Sequence, residues 1–401
     1  MHSATTNRRA KSPWKITDGG QKCGSTKLAN TIIRGALTLA VIAVLVLIAA
    51  RPAQAQSETV LYNFCSQPNC ADGANPQAGL TSDGAGNFYG TTYYGGAFGA
   101  GTVYELSPNG RGGWNETVLY SFTGGSDGSN PMGPVIFDKV GNLYGTTEFD
   151  VDVVFELSPA EGSWTETVLS YVHPQMQSGV MMDPEGNLYG IDGENVFELS
   201  PPGWTYQVIY FNEWGGRGGL TMDAAGNIYG VTTGYNHNPK LFALSPNGSG
   251  GWNHEYLYGF GKNDVSEGTP VLVPYQGTQV LYGTTSLGPG KKQGTVFSFY
   301  GKEKSEYSFK GGDDGSNPYG GLVYAPNGML YGSTLGGGNY NEGTVYQIPF
   351  LGRKAKVLWS FNGTDGSQPL GSLILDSAGN LYGTTSEGGA NGNGVVFEVT
   401  P

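Results

Sequence analysis

One ten-residue phrase recurs along this sequence and constrains its fold more than any other feature. The phrase has the form Asp-x-x-Gly-Asn-Leu-Tyr-Gly-Thr-Thr, with five close and two drifted copies at intervals of 40 to 55 residues. The copies are centred on Tyr89, Tyr144, Tyr189, Tyr229, Tyr282, Tyr331 and Tyr382. Because a recurring period of this length is typical of repeat architectures, each copy is expected to mark one supersecondary unit.

Four short runs of β-favouring residues lie within each period. In the first period they span 78–83, 87–92, 101–108 and 114–122, and we call them strands a, b, c and d. Runs such as VLYSF and TVFSF are apolar with little strict alternation, as in strands that are covered on both faces. The Asp-x-x-Gly-Asn segment predicts a hairpin turn between a and b. Four antiparallel strands per period are typical of a β-propeller blade.

The order of the strands predicts how such a ring closes. A d-type strand at 58–64 precedes the first a strand, and the sequence ends on a c-type strand at 394–401. An open solenoid would need capping segments, for which we find no candidate. We therefore predict an all-β fold, a seven-bladed β-propeller with four antiparallel strands per blade. The N-terminal strand is expected to complete the last blade, which removes the terminal sheet edges.

The composition agrees with this fold. The chain has 68 Gly and 22 Pro among 401 residues, but 38% hydrophobic and 12% aromatic residues can supply a sizeable core. A helical bundle is not expected, because each Gly in a helix interior costs roughly 0.5–1 kcal/mol relative to Ala. Glycine is instead expected at the turns of a β-structure.

Residues 1–55 are predicted to be a signal peptide. Seven Lys and Arg precede an apolar run at 35–50, and the sequence Ala53-Gln54-Ala55 that follows is typical of a cleavage site. The run has 16 residues, fewer than the roughly 20 that span a bilayer, although an uncleaved anchor is the alternative. We predict cleavage after Ala55 and a single propeller at 56–401 in an extracytoplasmic location, either periplasmic or secreted.

Removing this segment changes the charge of the chain. It takes away eight basic residues and one acidic residue, which leaves 13 Lys and Arg against 32 Asp and Glu, a net charge of −19 compared with −12 for the whole sequence. A negative charge opposes binding to nucleic acid and to anionic membrane surfaces. No nucleic-acid partner and no membrane span are therefore predicted for the mature chain, and we expect a monomer.

Two cysteines remain in the mature chain. Cys65 and Cys70 are separated by four residues and follow the first strand. Because close cysteine pairs in exported chains are oxidised, they are predicted to form a disulfide.

The repeated phrases resemble those of a known family. GNLYGTT, GTVFELSP-like and ETVLYSF segments recur together in that order over 58–401. In this respect the chain resembles the bacterial extracytoplasmic repeat called GloVer, which is found in choice-of-anchor proteins. The resemblance implies export and a propeller-like repeat. It implies no activity and no catalytic residues.

The loops of two units deviate from the pattern. Alternating strand directions place the d–a and b–c loops on one face, where propellers usually bind ligands. Most b–c loops are long and rich in Gly, whereas those of the second and third units are short and acidic. The candidate site residues on this sector are Asp150, Asp152, His173, Asp192 and Glu194. Carboxylates with an imidazole suit a metal cation or acid–base chemistry, and solvated acidic loops are the alternative.

The d–a loops carry a second recurring phrase, Asp-Gly-x-Asn/Gln-Pro. Its copies begin at Asp72, Asp127, Asp314 and Asp365. Asp-Gly followed by Pro predicts a turn. A repeated calcium site is the alternative, although no copy has the run of oxygen ligands found in an EF-hand loop. We therefore predict no cofactor, with calcium as the alternative.

A further set of residues is predicted to face a ligand. It comprises Trp214, Arg217, His237, Tyr94 and Tyr340. Aromatic, guanidinium and imidazole groups suit a polar ligand such as a glycan or a carboxylate, and ordinary surface residues are the alternative.

These observations predict an exported propeller that binds a ligand or partner, with a glycan or an envelope protein as candidates, and that is not an enzyme. The first alternative is a metal-dependent propeller hydrolase, lactonase or lyase. Such an enzyme would place acidic, Asn or His side chains from several blades around the central channel, whereas a channel lined by Gly, Leu and Val alone would exclude it. The second alternative is a structural envelope or adhesion module.

Overall fold

A computed structural model describes residues 56–149, 151–173, 176, 178–211, 215–232, 238–261, 265–287, 293–300, 303–352 and 354–401, with the backbone alone at 303–306. The predicted signal peptide and the candidate residues Asp150, Trp214 and His237 lie outside the described residues.

Within the described residues, 28 strands form seven separate four-stranded antiparallel sheets, the blades. Blade 1 contains β2 (Thr81–Ser82), β3 (Phe88–Thr92), β4 (Thr102–Pro108) and β5 (Trp114–Ser121). Blade 2 contains β6 (Ile136–Phe137), β7 (Leu143–Thr146), β8 (Val153–Ala160) and β9 (Ser163–Tyr171). Blade 3 contains β10 (Met181–Met182), β11 (Leu188–Asp192), β12 (Asn195–Ser200) and β13 (Thr205–Phe211). Blade 4 contains β14 (Thr221–Met222), β15 (Ile228–Val231), β16 (Lys240–Pro246) and β17 (Trp252–Gly259).

The remaining blades follow the same order. Blade 5 contains β18 (Val271–Tyr275), β19 (Thr278–Thr285), β20 (Thr295–Tyr300) and β21 (Glu303–Ser308). Blade 6 contains β22 (Val323–Tyr324), β23 (Met329–Thr334), β24 (Thr344–Pro349) and β25 (Lys356–Ser360). Blade 7 contains β26 (Ile374–Leu375), β27 (Leu381–Thr385) and β28 (Val395–Thr400), completed by β1 (Ser57–Asn63). Two 3₁₀-helices in the described part of the chain span Pro68–Cys70 and Gly312–Asp314.

The N-terminal strand closes the ring, as the strand order predicts. β1 pairs antiparallel with β28, from Ser57 opposite Thr400 to Asn63 opposite Val395. Seven buried hydrophobic clusters lie between the blades, and each draws residues from two neighbours, including blades 7 and 1. The predicted seven-bladed propeller with four antiparallel strands per blade is therefore confirmed.

The repeated Tyr-Gly pair has a packing role in every blade. On strand b each Gly lies opposite an aromatic residue of strand c, for example Gly145 opposite Phe155. A Cβ atom on any of the seven glycines would lie 2.5 to 2.7 Å from the nearest side-chain atom. In six blades this atom belongs to the aromatic side chain of strand c. In blade 7 the ring and Leu373 are equally close. Because interiors pack as densely as organic crystals, only glycine leaves room for the ring.

The tyrosine of the pair joins neighbouring blades and fixes the hairpin turn. The ring of Tyr144 in blade 2 packs on Trp204 of blade 3, with centroids 5.7 Å apart. Its hydroxyl donates a hydrogen bond to Asp138, which also accepts from the backbone N–H groups of Val140 and Asn142. The Asp-x-x-Gly-Asn turn and the packing tyrosine therefore form one unit, which explains why they recur together.

Candidate ligand-binding channel

The a segments form the innermost layer of the ring. Their β-paired part is only two residues long in six blades, shorter than the predicted 78–83 in blade 1. The residues before it contact the neighbouring blade instead. A Cβ atom on Gly133 of blade 2 would lie 2.3 Å from the backbone nitrogen of Gly179 in blade 3. One on Gly371 of blade 7 would lie 2.4 Å from the nitrogen of Gly79 in blade 1. Glycine at these positions lets adjacent backbones meet at the centre.

The a segments of all seven blades line a central cavity. Its volume is about 490 Å³, within the range of about 300–1,000 Å³ that is usual for small-molecule sites. Much of its wall is glycine backbone and apolar side chains, including Met132, Ile136 and Met181. The wall is not restricted to Gly, Leu and Val, since Arg217, Glu267 and Tyr319 also line it.

These three polar residues, the polar cluster, come from consecutive blades. Arg217, Glu267 and Tyr319 each stand immediately before a glycine that precedes the a strand of blades 4, 5 and 6. The corresponding residues of blades 2 and 7 are Met132 and Leu370. Chain positions about fifty residues apart therefore converge because each has the same place in its own blade.

Glu267 lies at the centre of the polar cluster. Its Oε1 is 3.8 Å from Nη1 of Arg217, and the side chain is 7% exposed, whereas that of Arg217 is 30% exposed. Burial raises the pKa of Glu267, and the positive charge of Arg217 and a hydrogen bond with Tyr319 act against this rise. The pKa of Tyr319 is raised by burial and by the nearby carboxylate. The cluster therefore holds an ion pair that is shielded from bulk water on its anionic side.

The acidic candidates of blades 2 and 3 lie elsewhere, and two of their carboxylates hold loops together. Asp152 is buried and accepts from the backbone N–H groups of Phe149 and Met176, both at 3.2 Å. Asp192 is fully buried and accepts from the backbone N–H of His173 at 3.1 Å and from the hydroxyl of Tyr206 at 2.8 Å. Asp192 therefore contacts the backbone N–H of His173.

Asp192 takes the place of a missing turn aspartate. Thr123 follows β5 by two residues, and its backbone N–H donates to Asp127 of the Asp-Gly turn at 2.8 Å. His173 has the same position after β9, where the Asp-Gly turn is absent, and donates to Asp192 instead. The deviation in sequence is thus accompanied by a substituted hydrogen-bond acceptor.

The other acidic candidates do not complete a metal site in the described structure. His173 and Glu194 are exposed. Among the described residues, no group of three or more His, Cys, Asp or Glu side chains is arranged to hold a metal ion. Asp127, one of the proposed calcium loop residues, accepts from Tyr120 at 3.0 Å as well as from Thr123. These hydrogen bonds support the interpretation of that loop as a turn.

The predicted ligand-facing residues are dispersed. Tyr94 and Tyr340 are exposed on b–c loops of blades 1 and 6, and Tyr340 borders a shallow groove with Asn339 and Trp359. Arg217 lies in the channel wall. Glu267 and Tyr319 were missed, and the signal that could have found them is their position, which matches that of Arg217 before the a-strand glycine.

The predicted disulfide between Cys65 and Cys70 is present. It closes the segment that contains the first 3₁₀-helix, next to the hydrogen bonds that Asp72 accepts from Ser66 and Gln67. No helix in the described part of the chain has the length and apolar character needed to cross a membrane.

The repeated unit of this chain matches the model of a known family. The profile of the Gloeobacter/Verrucomicrobia repeat matches residues 49–238 and 280–401. The chain belongs to this family. The family resemblance seen in the recurring phrases is thereby confirmed. The matched residues include all seven Tyr-Gly pairs, most of the a segments and, from the polar cluster, Arg217 and Tyr319. No curated protein sequence matches the chain.

Solved structures similar to this Gloeobacter/Verrucomicrobia repeat protein are propellers with low sequence identity. Virginiamycin B lyase from Staphylococcus aureus is 12% identical, with 86% of this chain and 99% of that chain covered and a TM-score of 0.56. The WD40 β-propeller domain of Doa1 has the same identity and TM-score, with 86% and 97% covered. The extracellular domain of a putative hybrid two-component system from B. thetaiotaomicron is 13% identical, with 86% of this chain and 42% of that chain covered and a TM-score of 0.53. Identities this low show a shared fold alone.

Proposed function

We propose that this protein is an exported, non-enzymatic propeller that binds a small ligand in its central channel. The observation that carries the proposal is the cavity of about 490 Å³ in which all seven blades meet. It combines an apolar wall with a few convergent polar groups, and this combination is the usual character of a small-molecule site.

The chemistry of the lining favours binding over catalysis. Among the described lining residues, the ionisable side chains are those of Arg217, Glu267 and Tyr319. The single carboxylate is engaged by the other two groups. A general base needs an accessible acceptor near the substrate, and a metal-dependent lactonase or lyase needs several converging ligands. The lyase from Staphylococcus aureus shares the fold, so a lyase activity is the alternative that the experiment below must exclude.

Export is supported by three observations of different kinds. The sequence of residues 1–55 has the basic, apolar and small-residue regions of a signal peptide. Cys65 and Cys70 are joined in a disulfide, which is typical of oxidising compartments. One similar structure is described as an extracellular domain. We therefore place the protein outside the cytoplasm.

The test begins with the full chain, expressed with its own N-terminal segment in a bacterial host. The protein recovered from the periplasm or medium is identified by its intact mass, which should correspond to a start at Gln56. Its ligands are then sought by ligand-observed NMR with a library of small molecules, by a glycan array and by metal analysis. A stoichiometric metal together with turnover of a lactone or of virginiamycin B would overturn the non-enzymatic proposal.

A pair of variants locates any ligand that binds. Met132→Trp adds bulk to the channel wall, and Val140→Trp places the same side chain at an exposed turn of the same blade. We expect the first substitution to abolish binding and the second to leave it unchanged. Binding that survives Met132→Trp, or that is found only on the glycan array, would place the ligand on the loop face and contradict a channel site.

A further inference from the structure

We propose that the ligand of the central channel is a small amphipathic carboxylic acid, with its carboxylate against Arg217 and its hydrocarbon part on the apolar wall. This inference rests on the proposed function, because it names the ligand class of the same channel.

The charges of the channel are not required by the blade geometry. Arg217 and Glu267 occupy a position that Met132 and Leu370 fill in blades 2 and 7. Apolar side chains are thus compatible with this position of the ring. Because a sequestered ion pair is often no more stabilising than apolar residues of similar size, stability does not explain the two charges in blades 4 and 5. A role in recognition does.

The two charges are presented unequally to the cavity. The side chain of Arg217 is 30% exposed and that of Glu267 is 7% exposed. The carboxylate is contacted by Arg217 on one side and by Tyr319 on another. More of the Arg217 side chain than of the Glu267 side chain is therefore open to contact with a molecule in the channel. This asymmetry favours an anionic group over a cationic one.

The guanidinium suits a carboxylate in particular. The 3.8 Å between Nη1 of Arg217 and Oε1 of Glu267 is longer than a direct hydrogen bond, so this contact is mainly Coulombic. Arginine presents five N–H donors in a planar fork that matches a carboxylate in a two-point contact. Glu267 and Tyr319 act as positioning residues, since they fix the side of the channel on which the fork lies.

The rest of the wall suits a hydrocarbon chain. In a ring of seven, blades 7 and 1 lie across from blade 4, which carries Arg217. Leu370 and Ile374 of blade 7 and Leu80 of blade 1 line the cavity there, and Met132 and Met181 line it from blades 2 and 3. Methionine is flexible and polarisable and adapts to apolar groups of different shape. An acid with an apolar chain would therefore contact both walls at once.

The experiment compares three probes that share one hydrocarbon chain. Octanoate, octanol and octylamine differ only in an anionic, neutral or cationic head group. Dissociation constants are measured by isothermal titration calorimetry on the exported protein at pH 7.5. We expect octanoate to bind at least tenfold more tightly than octanol, and octylamine to bind most weakly. Met132→Trp should abolish the binding of octanoate, which ties the measurement to the channel.

Variants of the ion pair test the role of Arg217. In Arg217→Gln the affinity for octanoate should fall to that for octanol, while the affinity for octanol stays unchanged. Arg111→Gln, on an exposed turn of blade 1, is the matched control and should change neither value. Because Arg217→Gln leaves Glu267 without its cation, the double variant Arg217→Gln/Glu267→Gln provides a neutral channel if the single variant folds poorly. The same loss of head-group preference is expected there.

The outcomes separate this inference from the proposed function. Octanol binding in the channel as tightly as octanoate, or tight octanoate binding in the double variant, would overturn the carboxylate assignment and leave a channel ligand in place. Failure of all three probes would also overturn the assignment. Failure of the whole library to yield a binder sensitive to Met132→Trp would instead overturn the proposed channel site itself.

Discussion

Because the Phe155 ring packs on Gly145 of blade 2, we predict that a side chain at position 145 destabilises the fold. A Cβ atom at this position would lie 2.5 Å from Cζ and 3.0 Å from Cε1 of Phe155, and 3.1 Å from Cγ1 of Val135. Both neighbours are fully buried. Since carbon atoms rest about 3.5–4.0 Å apart, Gly145→Ala forces the Phe155 ring to move by roughly 1 Å within a packed core.

Two effects of opposite sign set the magnitude. Overpacking of a core costs about 1–3 kcal/mol. Replacing Gly by Ala also restricts the unfolded chain, which stabilises the fold by about 0.4–1 kcal/mol. The net expectation for Gly145→Ala is a loss of about 1–2 kcal/mol in the free energy of unfolding.

Gly203→Ala is the matched control. Gly203 is exposed, its φ is not positive, and no neighbouring atom lies within 4 Å of a Cβ built there. Only the effect on the unfolded chain applies, so this variant should be as stable as the parent or slightly more stable. Urea unfolding followed by tryptophan fluorescence gives both values from the shift of the midpoint at constant slope.

A second substitution in the ring tests the cause. Phe155→Leu removes the atoms that meet the new methyl group. The double variant should therefore lose about 1 kcal/mol less than the two single variants together. Equal stability of Gly145→Ala and Gly203→Ala, or strict additivity in the double variant, would refute the packing account of the repeated glycine.

Three further predictions concern the outer strands and the core. Burial, helped by Asp72, raises the pKa of Glu116 to about 8 from 4.5. The folded protein thus keeps a proton that the unfolded chain loses, and its stability falls as the pH rises between these values. Glu116→Gln should gain about 1–2 kcal/mol over the parent at pH 8, after allowance for solvent screening, and little at pH 4.5, measured by urea unfolding at both values. The hydroxyl of Tyr346 is buried without a hydrogen-bond partner in the described structure. Because Tyr346→Phe removes this unsatisfied group, it should raise the free energy of unfolding by about 1 kcal/mol. A loss of stability would contradict this. Deleting Ser57–Asn63 exposes the edge of β28 and should produce aggregates or oligomers in size-exclusion chromatography, whereas an intact monomer would argue against closure by this strand.

Much of the fold could be predicted because its determinants are local and repeated. The turn of Asp138 and Asn142 and the tyrosine that contacts it lie within seven consecutive residues. The strand missing from the last blade is visible as a surplus strand at the other end. Strand a was predicted too long, because sequence does not distinguish residues that pair with strand b from residues that contact the next blade.

The site could be predicted only in part. Arg217 was singled out for its residue type, but its place in the channel wall depends on the ring. Asp192 attracted attention because its loop deviates, and only the structure shows that it accepts hydrogen bonds from His173 and Tyr206. The sequence of an acidic loop does not show whether its carboxylates are solvated or accept hydrogen bonds from the backbone.

The sequence by itself determined the number of blades, the strands within each blade and the manner of closure. Each of the seven copies of the repeat shows the same strands, and the surplus N-terminal strand matches the one missing from the last copy. Only the tertiary structure decided which single residues meet. Arg217, Glu267 and Tyr319 belong to three different repeats, and each stands before the a-strand glycine, at a position whose residue differs from blade to blade. Closing the ring brings that position in every blade to one central cavity, so the residues that vary between repeats become neighbours.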